Sequence, residues 1–151
     1  MRHLHRAAVV VLLLALGACG GDDPTSSGLT LDDLTGSWIA TSALFTNNAN
    51  SSETFDLVDT GGEIRFTVLA GGNTRIWIDD GTTSDEFDAV VTLSGSTLTI
   101  DPVEAGRDTD VFEITLVNNV LTMTNSDNNF DFTLSGATPV SATLVLTMVP
   151  N

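Results

Sequence analysis

The chain has no lysine and no tyrosine, and its 151 residues contain one cysteine, Cys19, and two histidines, His3 and His5. A single thiol excludes an intramolecular disulfide and any multi-cysteine zinc site, so stability has to come from packing. Histidine triads, thiol–imidazole pairs and Schiff-base lysines cannot be assembled once the first few residues are set aside, and conventional covalent or acid–base catalysis is not expected. Cations are equally scarce. Five arginines face twenty acidic residues, giving a formal charge of −15. Such a chain cannot neutralise phosphates, which excludes nucleic acid as a partner.

What is present begins with Met1-Arg2-His3-Leu4-His5-Arg6, followed by an apolar run from Ala7 to Leu16 that ends at Gly17-Ala18-Cys19. A basic tip, a short apolar core and small residues before a cut site form a secretory signal, too short to span a bilayer in the mature protein. The same residues resemble a bacterial lipoprotein signal in which Leu16-Gly17-Ala18-Cys19 is the lipobox. That resemblance implies cleavage before Cys19, lipidation of its thiol and a protein held in the cell envelope. Gly20, where an inner-membrane retention signal would place Asp, implies the outer membrane of a Gram-negative bacterium. Residues 1–18 are therefore expected to be signal peptide, 19–28 the lipidated cysteine and a polar tether, and 29–151 the folded domain. Loss of 1–18 would remove both histidines, Arg2 and Arg6, leaving Arg65, Arg75 and Arg107 against twenty carboxylates, a charge of −17. An anionic membrane surface would repel such a domain, so the lipid would be its membrane-binding element.

The domain reads as all-β. Leu29–Leu34 is a short stretch suited to one helical turn capped by Thr30. From Gly36 to Phe45, Trp38, Ala40, Ser42 and Leu44 fall on one side of a strand and Ile39, Thr41, Ala43 and Phe45 on the other. Thr54–Val58 fits a strand, a turn or a flap. Ile64, Phe66 and Val68 then alternate with polar residues, and the alternation returns at Phe87–Leu93, Leu98–Ile100, Phe112–Leu116, Leu121–Met123, Phe130–Leu134 and Ala142–Met148. If Ile76 and Ile78 point inward, Trp77 points out. Turn signals at Gly71-Gly72-Asn73, Ser94-Gly95-Ser96, Asn118-Asn119, Asp127-Asn128-Asn129 and Ser135-Gly136 are short enough to force antiparallel pairing. The expected architecture is an antiparallel up-and-down meander of about nine strands, within a range of 8–10, forming a barrel or a sandwich, with the barrel favoured. It closes into a barrel when Ala142–Val149 pairs with Gly36–Phe45, which also removes exposed strand edges.

Leu34-Thr35-Gly36-Ser37-Trp38, the hairpin Val91–Ile100 and the closing Ala142-Thr143-Leu144-Val145-Leu146 are similar to bacterial lipocalin-like lipoproteins, whose Gly-x-Trp opens the first strand. The resemblance spans roughly Leu31 to Val149 and implies a lipocalin-like β-barrel that binds rather than transforms.

Three acidic stretches, Asp79-Asp80, Asp85-Glu86-Phe87-Asp88 and Asp108-Thr109-Asp110, could supply paired carboxylates, but each sits beside a turn, where acidic residues are ordinarily solvated. Asp127–Asp131, or Asp79-Asp80-Gly81 with Asp85, could offer oxygens to calcium, yet neither matches a calcium-loop pattern. We expect no enzyme, no metal and no cofactor. The inward row, Trp38, Phe66, Val68, Phe87, Phe112, Ile114, Phe130 and Phe132, either encloses a small apolar or lipidic ligand or fills the core by itself. The alternative to a binding protein is a structural or interaction lipoprotein with a solidly packed barrel. The residues name no protein partner.

Overall fold

The computed structural model describes residues 28–134, 136 and 138–151. Cys19 and the residues read as signal peptide lie outside them. Nine strands run in chain order: β1 (Gly36–Asn47), β2 (Thr54–Asp56), β3 (Glu63–Val68), β4 (Asn73–Asp79), β5 (Ser84–Ser94), β6 (Thr97–Pro102), β7 (Asp110–Val117), β8 (Val120–Phe130) and β9 (Val140–Pro150). From β3 onward each strand pairs antiparallel with the next, and β1 pairs with both β3 and β9, so eight strands close into a barrel. The extra strand, β2, lies on β1. The tight turns match their residues. Asn118 and Asn119 join β7 to β8 with φ of 52° and 62°, the left-handed pair that a two-residue hairpin requires.

Alternation sets the wall. Ile64, Phe66 and Val68 point inward from β3, with Val91, Leu98, Ile114, Leu121 and Met148 buried from other strands. The outward rows carry threonine on neighbouring strands, as in Thr115↔Thr122 and Thr122↔Thr147, a solvated face suited to β structure. Outward from β4, Trp77 is half-buried with the Arg65 guanidinium 5.0 Å from its ring centre.

Two β-bulges alter the expected inward rows. On β1 the register shifts between Ala40 and Ser42, opposite Met148 and Thr147 of β9. Trp38 and Ala40 point inward before the bulge, and Ala43 and Phe45 after it, so neither uninterrupted row of the sequence reading is the inner face. On β8 a shift between Asn125 and Asn128 plays the same part. Asp127-Asn128-Asn129, read from the sequence as a turn, therefore lies inside one strand. The strand expected over Phe130–Leu134 is not formed: β8 ends at Phe130, and the ninth strand is β2. An Asx-rich stretch satisfies its own backbone locally, with the Asp127 N–H donating to Asn125 Oδ1 at 2.9 Å, and the same chemistry that makes a turn here makes a bulge.

One end of the barrel is plugged. The Leu31–Leu34 segment is a 3₁₀ turn, and Leu34 is fully buried. Thr30 precedes the turn as expected, donating from its N–H and its hydroxyl to Asp33 Oδ2 at 2.8 Å each. The Trp38 indole Nε1 donates to the Leu34 carbonyl at 2.8 Å, fastening the plug to β1. Phenylalanine at 38 would keep much of the apolar contact but leave that buried carbonyl without its donor. Trp38→Phe is expected to lower unfolding free energy by about 1–3 kcal/mol in urea denaturation.

Candidate functional site

The half of the barrel away from the plug is hollow. A cavity of about 240 Å³ lies above the floor formed by Phe66 and Met148, and thirteen of its fifteen lining residues are apolar. Ile76 and Ile78 from β4, Ile100 from β6, Phe112 from β7, Met123 from β8 and Leu144 and Leu146 from β9 make the wall. The two polar residues, Asp110 and Asn128, sit at the mouth.

The mouth is built by departures from regular pairing. β1 leaves β3 after Ile39 and takes up β2 at Leu44, so the β1 edge between them has no strand partner. Asp56 fills the gap. Its carboxylate accepts the Ser42 hydroxyl at 2.6 Å, the Ala43 N–H at 3.0 Å and the Val58 N–H at 2.9 Å. Burial pushes the Asp56 carboxyl upward, but these donors outweigh it and hold the group below the usual carboxylate range. The Leu57 N–H donates to the Ala43 carbonyl at 3.1 Å, which carries Leu57 into the cavity wall. Gly62 makes room for it: a Cβ at 62 would fall 2.6 Å from Leu57 Cγ and 2.7 Å from the Asp79 carbonyl oxygen.

Across the mouth, the β8 bulge turns Asn128 toward the cavity and leaves Asn125 buried. Asn125 Nδ2 reaches past the end of the β7–β8 ladder to donate to Asp110 Oδ1 at 3.3 Å. The Asp110 residue is exposed on its solvent side and walled by apolar side chains on the other, and burial, followed by the nearby Asp108 charge, raises its carboxyl above the ordinary value. No cation lines the cavity. Arg107 lies 4.1 Å from the centre of the Phe87 ring, and its guanidinium is held by Asp85 at 2.8 Å and Glu104 at 3.0 Å. Phe45, Phe55, Phe130 and Phe132 form an aromatic cluster beside the mouth, with Phe130 stacked on Phe45 at 4.1 Å and on Phe55 at 5.1 Å.

The eight residues expected to face inward are thus divided among three places. Phe66, Phe87 and Phe112 line the cavity. Trp38, Val68 and Ile114 are buried in the packed end below it. Phe130 and Phe132 belong to the aromatic cluster, because β8 ends before it could carry Phe132 into the wall. Twelve further lining residues were not among those eight: most are alternating strand positions, Phe45 and Leu57 are not, and Asp110 and Asn128 were named only within the paired-carboxylate and calcium stretches. Phe45 and Asn128 are brought inward by bulges, and Leu57 by a carboxylate latch. Asp110 carried a signal only as one acid among many. Among the described residues no group of three or more histidine, cysteine or acidic side chains converges to hold a metal ion. Asp79 and Asp80 accept N–H groups of their own turn, from Gly81 and from Thr82 and Thr83.

The fold and cavity define a class, a closed β-barrel with a plugged base and a small apolar hollow open past Asp110. Comparison with protein-family models, curated proteins and solved structures finds no match for the chain.

The Asp56 latch gives a signed pH dependence. Because its carboxyl lies below the ordinary 3.8, the stabilisation is complete at neutral pH and is lost as pH falls through the folded-state value. Asp56→Ala should destabilise the protein by about 1.5–3 kcal/mol at pH 7. The gap between parent and variant should narrow toward pH 3, measured by urea unfolding at each pH.

Proposed function

We propose that this protein is a non-catalytic binding protein of the bacterial envelope, anchored by lipid at Cys19, whose barrel takes a small apolar molecule into the hollow above Trp38. The observation that carries this reading is the cavity. A barrel of this size can fill itself with its own side chains, and this one is packed at the plugged end while 240 Å³ stays empty at the other. A cavity of about 150 Å³ lined by Leu, Ile and Phe suffices for benzene, so 240 Å³ suits an apolar group of about ten carbon atoms. A whole phospholipid is too large for it, and a single ring system or short acyl segment fits.

The envelope placement rests on the sequence of residues 1–20 and on a barrel with little basic charge of its own. A lipid at Cys19 would supply the attachment that an acidic domain lacks toward anionic membranes. Gly20 favours the outer membrane.

Naphthalene, with ten carbons, is the matched probe for the cavity. Titration of the Cys19→Ser protein, purified without detergent, should show saturable binding of naphthalene by its fluorescence, and native mass spectrometry of the same preparation should find a small apolar molecule retained from the cell. Ile76→Trp, which fills the hollow from β4, should weaken naphthalene binding by about tenfold or more while the protein stays folded. A protein that neither retains a molecule nor takes up naphthalene is the packed structural lipoprotein instead. The anchor is tested separately. Cys19→Ser should abolish incorporation of labelled fatty acid and release the protein from membranes; unchanged retention would refute the lipid anchor.

A further inference from the structure

The cavity has a chemical polarity that its volume alone does not express. We infer that its ligand is an apolar molecule bearing a primary amine, the apolar body filling the hollow and the ammonium resting on Asp110 at the mouth. This rests on the reading of the cavity as a binding site.

The argument begins with what surrounds the Asp110 carboxylate. Its one polar contact among the described residues is the Asn125 amide at 3.3 Å, a long bond to a neutral donor. Oδ2 has none, although the group stands over apolar lining that disfavours its charge. The cation nearest in sequence, Arg107, is already held between Asp85 and Glu104 with its face over Phe87. The other two cations of the domain are occupied on the outer wall, where Arg65 pairs with Glu63 and Arg75 with Glu86 and Asp88. Among the described residues Asp110 therefore has no counter-charge, and an ammonium arriving on a ligand would supply it through a charge-assisted hydrogen bond.

Neighbouring groups favour the same head. Asn128 lines the mouth, and its Oδ1, which already accepts the Asn129 N–H at 2.9 Å, has a second lone pair for a ligand N–H. A ligand carboxylate would meet Asp110 with no lining cation to offset the repulsion, and the excess of acidic groups over the whole chain adds a field that concentrates cations and excludes anions. Fatty acids, which match the cavity in apolar character, are disfavoured by its charge.

Four probes with one body separate the possibilities: naphthalene, 2-naphthylmethylamine, 2-naphthylmethanol and 2-naphthoate, titrated at pH 7 and low salt into the purified protein. The amine should bind about tenfold tighter than the carboxylate, with the alcohol between them. Asp110→Asn keeps the side-chain shape and should bring amine and carboxylate to within about threefold of each other, read as the ratio of their dissociation constants in the same variant; Asp110→Ser should do the same. Failure of naphthalene to bind the unsubstituted protein overturns the cavity reading and this inference together. Naphthalene binding with no preference for amine over carboxylate overturns the inference and leaves the cavity reading intact. A preference that persists in both Asp110 variants overturns the role given to Asp110. The comparison on the unsubstituted protein decides the ligand class even if neither variant folds.

Discussion

The seam on which this structure depends is β9, held between β1 and β8. Its pairing with β1 from Trp38↔Pro150 to Asn47↔Ala142 closes the sheet and removes the edges that so threonine- and valine-rich a meander would otherwise expose. Both neighbours of β9 carry a bulge against it, at Ala40–Ser42 and at Asn125–Asn128. A bulge adds a residue to one strand only, so it bends the strand and reverses which side chains face inward. Here the reversal brings Ala43 and Phe45 inward on one side of β9 and Asn128 on the other. The seam thus closes the barrel and also shapes its open end.

The two ends of the barrel differ in how their backbone groups are satisfied. At the plugged end, regular ladders meet a 3₁₀ turn, and a single indole hydrogen bond joins them. At the mouth the ladders run out in stages, and side chains take over: Asp56 for β1, Asn125 for the β7–β8 pair. One carboxylate, Asp110, and one amide, Asn128, stand at the rim of an otherwise apolar hollow, and the Arg107 guanidinium is tied down outside it.

Much of this was legible along the chain. The period-two alternation at Ile64–Val68, Phe112–Leu116 and Ala142–Met148 marks half-buried strands, and Asn118-Asn119 marks its hairpin, because those signals are local and depend on backbone geometry alone. The pairing of the last strand with the first follows from a meander with short connections. The inner face of β1 was not legible. Both of its sides are partly apolar, and nothing in Ala40-Thr41-Ser42 announces the extra residue. β2 was legible only as one of three readings of Thr54–Val58, because three residues are too short for a pattern; its ladder to β1 and the Asp56 carboxylate fix it. Asp127-Asn128-Asn129 misled in the opposite direction, since a run of Asx residues suits a turn and a bulge equally.

What the sequence determined by itself is the fold class and the charge: an all-β domain, strongly acidic and without lysine or tyrosine. Those properties are sums and periods, and they survive any arrangement of the strands. Tertiary structure decided whether the barrel is hollow, where the hollow lies and which of twenty carboxylates stands over it. Cavity volume depends on the register of strands far apart in sequence, and Asp110 is distinguished from its acidic neighbours by the two bulges and the ladder ends that surround it.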